Sequence, residues 1–97
     1  MVRHVVSWNF NPDVSDEKKQ ELYKFFEKEF TALKDKVPGV ICVIVGNPPL
    51  SSSNKELCLY VEMEDESIIP LYAGHPEHLK IVEVIKTYCN DRCCVDF

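Results

Sequence analysis

The chain has 97 residues, which is enough for one small domain with a single core. It is 45% hydrophobic and 28% charged, a balance typical of globular proteins and unlike that of disordered or fibrous chains. Sixteen acidic residues against 11 basic ones leave a net charge of −5. This charge argues against nucleic acids and anionic membranes as partners, because both are bound by clustered lysine and arginine.

The sequence predicts neither a membrane span nor a secretory signal. No apolar run approaches the about 20 residues that a membrane helix needs. Near the N-terminus, Arg3, His4, Ser7 and Asn9 interrupt the apolar residues that a signal peptide would keep together. We therefore expect a cytoplasmic protein whose five cysteines are reduced.

The cysteines are expected to pack rather than to bind a metal. Cys42 and Cys58 lie within apolar runs, where a thiol behaves as a small core side chain. Three more cysteines lie near the C-terminus: Cys89, Cys93 and Cys94. Their spacing forms no Cys-x-x-Cys motif and no histidine lies close to them in the sequence, so a metal site is not indicated. We predict no metal and no cofactor.

The first half of the chain predicts a strand followed by a long helix. Residues 2–10 alternate with a period of two, which is typical of a strand. Ser15 is the predicted N-cap of the helix, and Pro38 with Gly39 ends it. The helix carries apolar residues at helical spacing: Leu22, Phe25, Phe26, Phe30, Leu33 and Val37.

The second half predicts two strands, two helices and a last strand. Residues 40–45 form an apolar, β-branched run closed by Gly46, which indicates a strand covered on both faces. A strand over 57–63 follows, then helices over 65–73 and from 76 to about 90, then a short strand over 93–97. This β-α-β-β-α-β order predicts a single domain over 1–97. Its fold class is α+β, a ferredoxin-like fold with an antiparallel sheet and all helices on one face.

Such a fold leaves the second face of its sheet bare, and here that face is predicted to be apolar. We assign to it Val6, Trp8 and alternate residues of 40–45. Because a large exposed apolar patch marks an interaction site, two copies are expected to pack sheet to sheet as a barrel-like homodimer. The alternative is a monomer with a patchy surface.

Two of the three histidines fall in one run from Tyr72 to His78. Pro76 suits the first position of a helix, which makes His75 the N-cap and puts His78 in the first turn. The helix dipole there favours a neutral imidazole, so His78 is a candidate general base, although Glu77 acts in the opposite direction. Tyr72 could donate a hydrogen bond to an oxygen that gains negative charge. The alternative is purely structural: a cap, a hydrogen bond and a packed ring.

His4 lies on the same strand face as Val6 and Trp8, so it is either a hydrogen-bonded core histidine or part of a pocket. His4, Tyr72 and His78 could line one cavity between the sheet and the helices of residues 65–88. Such a site suits a small, flat, oxygen-bearing organic molecule, because apolar walls bury it and a few polar groups orient it. The expected walls are Val6, Trp8, Phe26 and Phe30, with His75 nearby.

Several segments resemble the stress-responsive dimeric α/β-barrel (Dabb) domain family. They are residues 2–6, the turn at 37–39, the run from Leu71 to His78 and the closing residues 95–97. The most specific element is Tyr-x-x-His-Pro-x-His, together with a histidine near the start of the first strand. The resemblance covers nearly the whole chain and implies a dimeric ferredoxin-like barrel.

The resemblance also implies functions. The family includes a polyketide cyclase that performs an intramolecular aldol condensation; His78 corresponds to its base, Tyr72 to its hydrogen-bonding partner and His4 to a pocket histidine. The first hypothesis is a homodimer with a small-molecule pocket, and the second is a cyclase or lyase. A cofactor-independent α/β-barrel monooxygenase is a weaker third. Trp8 is bulkier than its counterpart in the cyclase, which argues against a long polyketide as substrate.

Overall fold

The computed structural model describes residues 1–97 as one four-stranded antiparallel sheet with three helices. The strands lie in the order β2-β3-β1-β4, and the helices cover one face, as the ferredoxin-like prediction requires. No helix in the structure is both long enough and apolar enough to cross a membrane. The elements are β1 (Val2–Phe10), α1 (Asp16–Lys36), β2 (Val40–Gly46), β3 (Leu57–Met63), α2 (Ile68–Ala73), α3 (Pro76–Tyr88) and β4 (Cys89–Asp96).

Local signals place α1 as predicted. The Ser15 hydroxyl accepts a hydrogen bond from the Lys18 amide at 3.1 Å, which satisfies one of the free amides of the first turn. After the helix, Gly39 adopts a φ of 92°, a conformation that side chains disfavour. One predicted core position is wrong, because Phe25 lies at the margin of the apolar stripe and is exposed.

Three predicted boundaries are corrected. α2 begins at Ile68 rather than 65, because the Asp65 carboxylate accepts the Ser67 amide at 2.8 Å and holds residues 65–67 in a turn. α3 ends at Tyr88 rather than about 90, and β4 begins at Cys89 rather than 93. The cause of both is pairing with β1, because Cys89 already lies opposite Phe10.

The predicted orientation of the sheet is wrong. Val6 and Trp8 face the helices rather than the bare side, and the Trp8 ring stacks on Phe30 of α1 with centroids 6.4 Å apart. The prediction that β2 is covered on both faces depends on a second copy and stays a prediction, since in the single chain Ile41 and Ile44 are 41% and 54% exposed. The pairing of a strand with its neighbours decides which of its two faces packs against the helices. Periodicity alone separates the two faces but does not show which one is covered.

The uncovered side of the sheet, called the open face below, carries an apolar row. Directly paired residues share a face, so the register places one residue of each strand side by side. In the order of the strands, the row is Ile44, Tyr60, Val5 and Val95. Val95 is 59% exposed, so in a single chain this row meets water.

A bulge interrupts β4 where it passes Trp8. The pairing with β1 shifts between Ser7 and Asn9, and Asp91 takes a φ of 56°, in the left-handed region. The extra residue inverts the alternation of the strand beyond it. Arg92 therefore lies on the helix side, with Cys94 and Asp96, while Cys93 lies on the open face.

All five cysteines are free, and their predicted packing is partly wrong. Cys89 is buried, and burial raises the pKa of its thiol to about 11. Cys42 and Cys58 are only half-buried, because both lie on the open face. Cys93 and Cys94 are exposed, since β4 is an edge strand whose outer residues have no neighbouring strand.

Candidate functional site

A cavity of about 360 Å³ lies between the sheet and the helices. Residues of β1, β3, α1, α2 and α3 contribute to its walls, and β4 contributes Arg92. Ten of the 14 lining residues are hydrophobic. The volume and this balance of apolar and polar groups are typical of sites for small organic molecules.

Tyr72 reaches the cavity from the last turn of α2. Its side chain is almost fully buried, and its hydroxyl has no hydrogen-bond partner in the protein. Burial raises the pKa of the Tyr72 phenol well above its ordinary value, because a phenolate would lose its hydration. The group therefore remains a phenol at neutral pH and can donate a hydrogen bond.

His78 lies beside Tyr72 because the two short helices meet at a sharp turn. Pro76 begins α3, and the His75 ring caps it by accepting the Glu77 amide at 3.1 Å. This turn brings the rings of Tyr72 and His78 to 4.4 Å between centroids. The predictions that His75 is the N-cap and that His78 lies in the first turn of α3 are thus confirmed.

The hydrogen bond of His78 determines its tautomer. Its Nδ1 lies 3.0 Å from the carbonyl oxygen of Ala73, which can only accept, so Nδ1 carries the proton. The other ring nitrogen, Nε2, is left with a lone pair. Burial lowers the pKa of His78, aided by the charges of His4 and Arg92 and opposed by the Ala73 carbonyl. At neutral pH the ring is an uncharged base.

His4 enters the cavity from β1. Its Nδ1 lies 2.5 Å from Oδ1 of Asp96, and its ring meets Tyr72 edge-on with centroids 5.7 Å apart. The thiol of Cys94 lies 3.8 Å from the same Nδ1 and 3.7 Å from the same carboxylate oxygen. His4 is therefore hydrogen-bonded on one side and borders the cavity on the other.

Histidine, cysteine and aspartate are donors that a transition metal accepts, and His4, Cys94 and Asp96 are the group that could hold one. Partial desolvation and the neighbouring Asp96 carboxylate raise the pKa of the Cys94 thiol, so a metal would have to displace its proton. The absence of a bound metal stays a prediction, which elemental analysis of protein purified without added metal checks.

The structure brings most of the predicted site residues to one cavity. His4, Val6, Trp8 and Phe30 line it, together with Tyr72 and His78. Two others lie outside the lining: Phe26 is fully buried beside Phe30, with ring centroids 5.9 Å apart, and His75 is occupied as the helix cap.

Sequence reasoning missed the wall formed by α3 and β4. Leu79, Val82 and Lys86 face the cavity from α3, and Arg92 faces it from β4. The spacing of Leu79, Val82 and Lys86 places them on one face of a helix, so the sequence could have predicted that they lie together. Arg92 gave none, because its direction depends on the bulge.

The fold and the cavity define a ferredoxin-like α+β protein with a ligand-sized space between sheet and helices. The chain belongs to the stress-responsive A/B barrel domain family, Dabb, whose sequence profile matches residues 2–97. Among proteins of curated function, none matches the chain in sequence.

Solved structures share this fold over nearly the whole chain. A dimeric ferredoxin-like protein from Bacteroides fragilis is 27% identical, with a TM-score of 0.91, covering 99% of this chain and 93% of that one. A dimeric ferredoxin-like protein from Thermobifida fusca is 21% identical, with a TM-score of 0.80 and coverage of 99% and 88%. Hydroxynitrile lyase from Passiflora edulis is 11% identical, with a TM-score of 0.75 and coverage of 99% and 90%.

Proposed function

We propose that this Dabb protein is a homodimer that binds a small, flat, oxygen-bearing organic molecule in its cavity. The observation that carries the proposal is the hydroxyl of Tyr72, which is buried without a partner at an apolar cavity. A buried, unpaired polar group destabilises a folded protein unless something satisfies it. A ligand oxygen that accepts this hydrogen bond would remove the penalty, while the apolar walls favour burial of the rest of the molecule.

The open face supports the homodimer. Its apolar row of Ile44, Tyr60, Val5 and Val95 crosses all four strands, and Phe97 beside it is 65% exposed. A contiguous apolar surface of this kind is typical of an interface. The Bacteroides fragilis protein, similar over nearly the full chain, is dimeric. We therefore assign the open face to a second copy of this chain, in place of the face with Val6 and Trp8.

A second candidate function is an aldol-type cyclase or lyase that uses the same cavity. Nε2 of His78 would take a proton from a carbon between two carbonyl groups, and the electron pair would form an enolate. Tyr72 would donate a hydrogen bond to the enolate oxygen. The enolate carbon would attack a third carbonyl farther along the same molecule, and the imidazolium would return the proton to the new alkoxide.

One observation favours this candidate. The uncharged His78 and the protonated Tyr72 are neighbours with the protonation states that the reaction needs. The lyase from Passiflora edulis has the same fold, a likeness that extends to the fold alone. The lining gives no sign of oxygen chemistry, so the monooxygenase hypothesis gains no support.

Trp8 offers a direct test of ligand binding, because it is the protein's single tryptophan and lines the cavity. Addition of benzoylacetone, a flat β-diketone, should change the Trp8 fluorescence saturably. No change at millimolar concentration would contradict a cavity for this class of molecule.

Enolisation of the same probe, followed by its ultraviolet absorbance, tests the second candidate. Wild-type protein should accelerate it, His78→Ala should abolish the acceleration, and Tyr72→Phe should weaken it by about 10²-fold or less. His75→Asn is the matched control, because asparagine can still cap α3 and residue 75 lies outside the cavity. Binding without any acceleration would leave the cavity as a binding site and exclude the proton-transfer role.

A further inference from the structure

The charge of the cavity lining is opposite to that of the protein. The chain carries 16 acidic residues and 11 basic ones, yet no aspartate or glutamate lines the cavity. Two cationic side chains do, Arg92 and Lys86. The nearest carboxylate on the His4 side, Asp96, is hydrogen-bonded to the ring of His4 and forms no ion pair with Arg92. The lining is therefore suited to a negative charge.

Arg92 owes its position to the bulge in β4. The left-handed conformation of Asp91 inverts the strand alternation and directs Arg92 to the helix side, where it borders the cavity. The carboxylate next to it in sequence, that of Asp91, pairs instead with Lys55 at 2.6 Å and with the Asn9 amide at 3.1 Å. Arg92 itself forms no ion pair within the chain.

The second cation, Lys86, is only weakly engaged. Its Nζ lies 3.9 Å from Glu83, and both side chains are largely exposed, so water screens the pair. An anion at the cavity would thus meet two cations that no internal carboxylate neutralises strongly.

A hydrogen-bond donor of one lining residue, Trp8, also lacks a partner in the protein. The indole Nε1 of Trp8 is buried and makes no hydrogen bond, and Trp8 as a whole is 6% exposed. Indole nitrogen and guanidinium can only donate, so both are suited to the oxygen acceptors of a ligand. The buried phenol of Tyr72 makes a third donor on the same cavity.

We propose that the ligand of this cavity is a carboxylate-bearing organic molecule, with its apolar body against the walls and its carboxylate paired with Arg92. This inference rests on the proposed binding function and names its ligand class. The planar guanidinium matches a carboxylate with two parallel hydrogen bonds. Trp8 and Tyr72 donate to the ligand's remaining oxygens, and Lys86 adds positive charge on the same lining.

Calorimetric titration with matched probes tests the charge requirement. Cinnamate and naphthoate are compared with cinnamamide and naphthamide, which keep the shape and a carbonyl oxygen but lose the charge. Wild-type protein should bind the acids about tenfold more tightly than the amides, since a charge-assisted hydrogen bond is stronger than a neutral one. In Arg92→Gln that preference should disappear, because the acids lose about tenfold in affinity and the amides, which form only a neutral hydrogen bond, lose less.

Lys24→Gln is the matched control. It removes the same charge from an exposed position on α1, outside the cavity, and should leave the acid preference intact. Equal affinity for acids and amides in wild-type protein would overturn the carboxylate inference while leaving the binding function standing. Failure of all four probes to bind at millimolar concentration would overturn both.

Discussion

Tyr23 and Tyr72 are both buried, but only one of them has a hydrogen-bond partner for its hydroxyl. The Tyr23 hydroxyl donates to the Glu56 carbonyl at 2.8 Å, whereas the Tyr72 hydroxyl has no partner. A core tyrosine maintained for packing alone would normally satisfy its hydroxyl. The contrast is therefore the sharpest sign, at the level of single residues, that Tyr72 serves a ligand.

The pair also supplies a stability test. Tyr23→Phe should lower the free energy of unfolding by about 1 kcal/mol, because it leaves a carbonyl without its donor. Tyr72→Phe should cause no loss and could raise the free energy of unfolding by up to about 1 kcal/mol, because it removes an unpaired buried group. Urea denaturation of both variants measures the difference. Equal losses in the two would contradict the unpaired state of Tyr72.

His78 is expected to titrate below the ordinary histidine value of about 6.5, because burial disfavours its charged form. The unfolded chain then takes up the proton at higher pH than the folded one. The free energy of unfolding should consequently fall as the pH drops from about 6.5 towards the folded pKa. Nuclear magnetic resonance titration of the ring gives the midpoint, and His78→Gln should remove this part of the pH dependence. A midpoint at or above 6.5 would contradict the assignment.

At the level of elements, β4 decides where the arginine of the cavity lies. Its bulge turns Arg92 towards the cavity and Val95 towards the open face, so one irregular residue serves both surfaces. The residue responsible is Asp91, with its φ of 56°. Aspartate tolerates this conformation better than most residues, since its short polar side chain can bond locally.

Paired substitutions of Asp91 test the bulge. Both Asp91→Gly and Asp91→Val remove the carboxylate, so their difference reports the backbone conformation. In a regular strand valine is the more stable of the two. In the left-handed conformation glycine should exceed valine by about 1 kcal/mol, as thermal or urea unfolding would measure. A more stable valine variant would show that the strand is regular at this position and that the direction of Arg92 needs another explanation.

For the molecule as a whole, the open face is the main apolar surface without a packing partner in the single chain. In a single chain its apolar row meets water, while the helix side of the same sheet forms the core. A second copy placed against the row would give each face of the sheet an apolar neighbour.

Lysine on the open face tests the dimer. Val95→Lys, at the edge of the sheet, should dissociate the dimer while leaving the monomer folded, because the position is exposed in the single chain. Light scattering measures the mass and circular dichroism the fold, with Gln20→Lys on α1 as an exposed control. A wild-type protein that is monomeric at micromolar concentration would contradict the proposal.

Much of the fold and part of the site could be predicted from the sequence because their signals are local. Ser15, Gly39 and Pro76 each act on the chain within a few residues, so the limits of α1 and the cap and start of α3 could be read directly. The nearness of Tyr72 and His78 follows from the same kind of signal, a sharp turn between two short helices.

The sequence by itself thus determined the order of the elements, the fold class and the paired Tyr72 and His78. Only the tertiary structure decided which side of β1 lies under the helices. Alternation with a period of two separates Val5 from Val6 but does not say which of them faces inward. It also decided the place of Arg92, because the bulge arises from the pairing of β4 with β1, and such pairing joins residues far apart in the chain.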